Sequence, residues 1–392
     1  MAIDGFGVAS DQLGIDFFAR VCLHQSYPGD MAKKGARRRA DWVYTLHSDG
    51  RPIMDLFGYA SWMPRGHRPW QWSAAAVTAA LTCVPTLTAH ADEGGVSFWL
   101  PGLFGSLSAV PGTPGLSWSN IYIHPEVSAG KNQAFADGGE IDLGIDGTGN
   151  LVAFGPTYVL PQLVLGGHLA LSLFGVAGQN VGTASAILAG PGGATISGSH
   201  TDTATGFGDL LPQASLAWNS GVNNFMTYVT GDVPVGSYDP TRLANLGIGH
   251  GAIDGGAGYT YFNPANGHEL SAVGGFTYNF ENTHTDYQNG IDFHLDWAAS
   301  QFLSKQAFVG AVGYWFQQVT GDSGSGAILG PFESSIVGIG PQFGYIFPVN
   351  DQYQGLFNLK GYLDLASNNR AKGWSVWVTV AFTPTAPKTK AQ

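Results

Sequence analysis

"HELSAVGGFTYNFE" (His268–Glu281) resolves into two faces when every second residue is taken together. Leu270, Ala272, Gly274, Phe276, Tyr278 and Phe280 fall on one side, and Ser271, Val273, Gly275, Thr277, Asn279 and Glu281 on the other. Side chains alternate sides along a β-strand, so one face is apolar and its opposite polar or small. Strands of soluble sheets average roughly five to six residues. An alternation held from Leu270 to Glu281 is long enough for a tilted strand to cross a bilayer, which takes about 9–11 residues.

Neighbouring runs repeat the pattern. Ile291, Phe293, Leu295 and Trp297 oppose Asp292, His294 and Asp296. Trp374, Val376, Val378, Val380 and Phe382 oppose Ser375, Trp377, Thr379 and Ala381. Extending this reading predicts twelve strands at 119–131, 150–160, 163–177, 205–219, 222–235, 252–263, 268–281, 291–302, 305–319, 333–347, 355–367 and 373–383. The connections between them alternate, mostly long then mostly short, as in bacterial outer-membrane barrels with short periplasmic turns and longer extracellular loops. An even number of antiparallel strands closes the sheet and leaves no backbone edge in lipid. The expected fold is therefore all-β: a transmembrane, antiparallel, up-and-down barrel of about twelve strands with an N-terminal lumenal segment. Tyr158, Trp218, Tyr261, Trp297, Trp315, Tyr345 and Trp374 fall near strand ends, where interfacial aromatic girdles form.

Composition agrees. The chain is 44% hydrophobic and only 11% charged, with 57 glycines, whereas soluble domains carry about a quarter charged residues. Residues 1–91 hold 9 of the 17 Lys+Arg and 7 of the 28 Asp+Glu, which leaves 8 basic and 21 acidic residues beyond Ala91. So acidic a chain will not seek nucleic acid. Cys22 and Cys83 both precede Asp92, so the remainder has neither disulfide nor thiol chemistry.

"RPWQWSAAAVTAALTCVPTLTAHADEGG" (Arg68–Gly95) has the layout of an export signal. Arg65 and Arg68 follow Met63, the stretch Ala74–Leu87 carries no charge, and Ala89-His90-Ala91 supplies a small-x-small cleavage site. Residues 63–91 are thus expected to be a signal peptide beginning near Met63, with residues 1–62 a non-native or cytoplasmic extension upstream of the true start. Residues 92–118 are expected to be a hatch. They are rich in large apolar residues (Phe98, Trp99, Leu100, Leu103, Phe104), yet Pro101, Pro111, Pro114 and many glycines oppose a regular element. Irregular backbone cannot face lipid. The segment is expected either to fold back into the lumen or to hang as a periplasmic tether. The barrel would span 119–383, and residues 384–392 would be a flexible tail.

Four stretches in order, "GDLLPQASLAWNSG" (Gly208–Gly221), "YVTGDVPVGSYDPTRLANLGIGHGAIDGGAGYTY" (Tyr228–Tyr261), "NFENTHTDYQNGIDFHLDWAASQ" (Asn279–Gln301) and "QQVTGDSGSGAILGPFESSIVGIGP" (Gln317–Pro341), resemble the family of meta-pathway of phenol degradation proteins. The resemblance spans roughly Val96 to Phe382. It implies a bacterial outer-membrane barrel associated with catabolism of aromatic compounds, distantly similar to the fatty-acid and aromatic-hydrocarbon uptake channels. It carries over no catalytic residue.

Nothing else points to chemistry. His284 with Asp286 and His200 with Asp202 are pairs, short of the three or four convergent ligands a zinc site needs. "TGDSGSGAILG" (Thr320–Gly330) is glycine-rich but lacks a phosphate loop's lysine and strand–loop–helix setting. No metal or cofactor is expected, and the chain is expected not to be an enzyme. The expected function is passive uptake of small hydrophobic or aromatic compounds across the outer membrane. The alternatives are a lipid-hydrolase barrel enzyme and a structural or adhesive barrel. The substrate path is expected to involve Phe98, Trp99 and Phe104 from the hatch and Glu281, Asp292, His294, Asp296, Gln342, Lys360 and Asp364 from the inward wall. Expected partners are outer-membrane lipid and lipopolysaccharide, the barrel assembly machinery and a small aromatic ligand.

Overall fold

The computed structural model describes residues 97–134, 140–190, 194–328 and 330–385. The expected signal segment 63–91, residues 1–62 upstream of it, residues 92–96 of the expected hatch and residues 386–392 of the expected tail lie outside these. Twelve strands follow one another: β1 (Gly115–Ala134), β2 (Glu140–Val164), β3 (Gly167–Ala189), β4 (Thr195–Ser220), β5 (Asn223–Asp232), β6 (Ala252–Asn263), β7 (His268–Asn279), β8 (Asp292–Phe302), β9 (Ala307–Gln318), β10 (Ser335–Pro348), β11 (Tyr353–Asn368) and β12 (Lys372–Pro384). Each pairs antiparallel with the next, and β1 pairs with β12 to close the barrel. Closure sets Trp118 beside Phe382 and Glu126 beside Trp374.

The predicted alternation is the wall's inside–outside code. Leu270, Phe276, Tyr278 and Phe280 are exposed on the outer surface, whereas Ser271, Val273, Thr277 and Asn279 are buried in the lumen. Leu116, Trp118, Tyr158, Leu171, Leu173, Phe225, Trp315, Leu363 and Trp374 extend the apolar outer surface around the circumference. The β2–β3 turn is two residues long, with Leu165 (φ 51°) and Gly166 (φ 78°) both left-handed. Two left-handed central residues match the twist of the flanking strands.

Strand length departs from the sequence expectation in the first third. β1 begins at Gly115, so Gly115–Trp118 belong to the wall and not to the hatch. Within the stretches 132–149 and 178–204, expected to be mostly loops, residues 132–134, 140–149, 178–189 and 195–204 continue β1 to β4 as paired ribbons (Asn132↔Asp142, Thr183↔Thr201). Sequences such as "GIDGTGN" (Gly144–Asn150) show no apolar alternation. A ribbon that projects beyond an apolar belt has water on both sides and needs none.

At this end of the barrel the connection between β5 and β6 is fastened to the projecting ribbon. Arg242 donates to Asp202 through Nη2 (2.6 Å) and Nε (3.1 Å), and Asp209 accepts the backbone amides of Gly236 (2.7 Å) and Ile248 (2.8 Å). Thr241 donates to Asp239 from both its hydroxyl and its amide and holds that carboxyl below its ordinary 3.8. Longer connections are knitted together by Asn282 donating to the Tyr238 hydroxyl (2.8 Å) and Tyr287 donating to Asp322 (2.5 Å).

Candidate functional site

The segment 97–114 lies inside the barrel. It enters at the short-turn end, where Gly115 opens β1, and runs the length of the lumen. Its backbone is irregular, so its amides and carbonyls need partners other than a strand ladder. Inward wall side chains supply them in order. Thr260 Oγ1 accepts the Ala109 amide (3.1 Å). Glu269 accepts the Ser106 hydroxyl (2.6 Å) and the Leu107 amide (3.0 Å). Asp296 accepts the amides of Gly102 (2.9 Å) and Phe104 (3.0 Å). Lys360 Nζ donates to the carbonyls of Gly102 (2.6 Å) and Leu103 (3.1 Å), and the Tyr362 hydroxyl donates to Gly102 O (3.1 Å). At the far end Arg370 donates to the Ser97 hydroxyl (3.1 Å).

Gly102 is the centre of this clamp. Its φ of +93° suits glycine, and a Cβ there would sit 2.8 Å from the Tyr362 ring. The buried Lys360 ammonium lies between Asp296 and an aromatic wall, 5.0 Å above the Trp377 ring. The arrangement joins opposite charges through the insert's peptide groups, so each buried charge is met by hydrogen bonds.

Above the clamp is an aromatic layer. The Trp99 ring stacks on His294 with centroids 3.5 Å apart and planes 11° from parallel. Phe104 and Tyr228 pack around it, each with a centroid within 6.2 Å of Trp99. His294 Nε2 meets Asp254 Oδ2 at 2.9 Å and the Tyr228 hydroxyl at 3.3 Å, and Thr277 donates to the same Asp254 oxygen at 2.6 Å. Gly275 pairs with His294 across β7–β8. Its missing Cβ leaves room for Tyr228 Oη to reach the imidazole, since a Cβ would lie 2.4 Å from that oxygen.

The residues singled out from sequence are distributed as follows. His294, Asp296, Lys360 and Gln342 converge on the insert, which itself carries Trp99 and Phe104. Gln342 donates to both Ser106 and Ser300 at 2.7 Å, and Phe98 is half-buried beside Trp99. Asp292 is buried but accepts from Asn279 (2.9 Å), a wall-to-wall contact. Asp364 likewise ties wall to wall, accepting from the Tyr314 hydroxyl and from the Gly373 amide (2.7 Å). Glu281 is a correction. β7 ends at Asn279 and Phe280 N bonds to Gly251 O, so Glu281 leaves the strand and lies exposed in the β7–β8 connection. Sequence reasoning missed Asp254, Tyr228, Glu269 and Tyr362. Glu269 was within reach, because it shares the face of Ser271 and Val273 one step earlier.

Ser300 joins Ser106 and Gln342, while His294 joins Asp254 and Tyr228. The nucleophile and base of a serine hydrolase must be in hydrogen-bond reach of each other, and these two are in separate layers. Among the described residues no group of three or more His, Cys, Asp or Glu is placed to hold a metal ion.

The family described as "Putative MetA-pathway of phenol degradation" matches residues 130–380. No curated protein matches the chain. Among solved structures, the chain is similar to an outer membrane channel from Pseudomonas putida, at 16% identity and a TM-score of 0.48, covering 70% of this chain and 96% of that one. It is similar at 14% identity to the translocator domain of the autotransporter NalP from Neisseria meningitidis, with a TM-score of 0.32, 70% of this chain and 90% of that one. A Pseudomonas aeruginosa FadL homologue matches at 7% identity and a TM-score of 0.28, over 69% of this chain and 88% of that one.

Proposed function

The chain belongs to the MetA-pathway phenol-degradation family, and from that premise we propose that it is a bacterial outer-membrane channel for passive uptake of small hydrophobic or aromatic compounds. The observation that carries the proposal is how the lumen is filled. Wall side chains by themselves just fill a barrel of about eight strands, and a barrel's width grows with strand number, so twelve strands leave more room. Here the interior is filled by an irregular segment whose backbone is bonded to the side chains of Thr260, Glu269, Asp296, Lys360 and Tyr362. A segment so held can leave without breaking the ladder of the wall, and its departure opens a path. The apolar outer surface suits the barrel to lipid, with the assembly machinery and lipopolysaccharide as its partners in the membrane. An export signal at 63–91 would deliver it there.

The aromatic layer of Trp99, Phe104, Tyr228 and His294 gives the path its preference for flat, apolar molecules. Stacked and tilted ring pairs contribute about 0.5–1.5 kcal/mol beyond area burial. The test is uptake of a panel of labelled aromatic compounds by cells with and without the gene. Faster uptake of at least one compound with the gene is expected, and equal uptake across the panel would remove the channel reading.

A further inference from the structure

Trp99 fills its place in the lumen without satisfying it. It is 1% exposed, and its indole N–H has no hydrogen-bond partner among the described residues. The same holds for Nδ1 of His294 and Oδ1 of Asp254, both residues being 1% exposed. These three atoms belong to groups in direct contact: the indole stacks on the imidazole, and the imidazole bonds to the carboxylate. Buried polar groups are almost always paired, and each one left alone shifts an equilibrium on the order of tenfold or more. The ring stacking is therefore well made and the polar edge is not.

We propose that the place occupied by Trp99 is a binding slot for a planar aromatic ring that carries a hydrogen-bond donor, and that Trp99 is the internal ring such a ligand displaces. His294 supplies the stacking face, Phe104 and Tyr228 the flanks, and Asp254 Oδ1, on the carboxylate beside the imidazole, accepts the ligand's O–H or N–H. The slot is built around its polar edge: Thr277 and Tyr228 orient the Asp254–His294 pair from neighbouring strands. Trp99 is on the insert, two residues from Pro101 and three from the Gly102 clamp. Its withdrawal and the opening of the lumen are thus motions of the same segment. A ligand that pairs an orphaned acceptor gains what the tethered indole leaves unmade, and this gain sets the exchange in its favour. The assignment takes its ligand's role as cargo from the channel reading above, but the slot itself is tested by binding alone.

The probes are indole, which is the displaced ring itself, 4-methylphenol, and p-xylene, which has the shape of 4-methylphenol with a methyl in place of the hydroxyl. Purified Trp99→Ala protein, shown to be folded by heat-modifiable migration, should bind indole about tenfold or more tightly than the unsubstituted protein by calorimetry. It should also prefer 4-methylphenol to p-xylene by a similar factor. Equal indole affinity in the two proteins would overturn the slot, as would equal affinity for the two isosteres. A second measurement needs no cavity variant. In protein labelled with 5-fluorotryptophan, with Trp99→Phe used to assign the resonance, 4-methylphenol should shift the Trp99 signal and p-xylene should leave it in place. Gene-dependent uptake with an unmoved Trp99 signal would remove the slot and leave the channel. A shifted signal with gene-independent uptake would leave the slot and remove the channel.

Discussion

Replacing Asp296 with alanine should release the insert from the lumen. The carboxylate accepts two amides, from Gly102 at 2.9 Å and Phe104 at 3.0 Å. A hydrogen bond to a charged group contributes about 1.5–3 kcal/mol. The lower end applies here, because alanine also removes the desolvation cost of a buried carboxylate. Two bonds then come to about 3 kcal/mol, and each ~1.4 kcal/mol is a factor of ten in population. The detached fraction should rise on the order of 100-fold. The reporter should be a bond that the substitution does not touch. The Ala109 amide donates to Thr260 Oγ1 at 3.1 Å, seven residues from Gly102 along the insert. If the insert leaves as a unit, hydrogen exchange at Ala109 accelerates by about that same factor, and conductance in planar bilayers rises. Fast exchange at Gly102 and Phe104 with an unchanged rate at Ala109 would show that the clamp acts only locally, and the idea of a removable insert would fail.

Gly102→Ala should open the channel as strongly as Asp296→Ala, because the new Cβ would lie 2.8 Å from Tyr362 on a backbone with φ +93°; Gly105→Ala, whose Cβ would meet Lys360 at an ordinary 3.4 Å, should leave conductance unchanged. Lys360→Met should have a smaller effect than Asp296→Ala on Ala109 exchange, because Gly102 O keeps the Tyr362 hydroxyl as a donor. Arg242→Ala should free the β5–β6 connection to proteolysis without lowering the melting temperature of the barrel, since the Arg242–Asp202 pair is partly exposed and ties only that connection to the ribbon. The contribution of the Asp239–Thr241 contact to the protease resistance of this connection, read as the difference between the unsubstituted protein and Thr241→Val, should be flat from pH 8 to about 5. The Asp239 carboxyl is held below its ordinary value by Thr241, so its contribution is complete above the unfolded pKa of about 3.9 and is lost only as pH falls below about 4. A decline beginning near pH 6 would point to another group.

The barrel was legible in the sequence wherever a strand separates two unlike environments. β7, β8 and β12 alternate an apolar face with a more polar one because lipid-like surroundings and a packed lumen each select one face, and this pattern is local to the strand. It placed Asp292, His294 and Asp296 on one inward face from their two-residue spacing. The lengths of β1 to β4 were not fully legible, because stretches such as Gly144–Asn150 carry no sustained alternation, although Ile141, Leu143 and Ile145 do alternate with Asp142, Gly144 and Asp146 just before. Parity also carried Glu281 into the lumen one step after hydrogen bonding had ended the strand at Asn279. The composition of the insert, with its large apolar residues, prolines and glycines, argued that it belongs inside. Only the closed structure determined what holds it there. Gly102 meets Asp296 across 194 residues of sequence and Lys360 across 258, and those partners are set by the register of six strands and the seam between β1 and β12. Periodicity says which way a side chain points; which group it finds there depends on how the whole circumference closes, and that is a property of the tertiary fold.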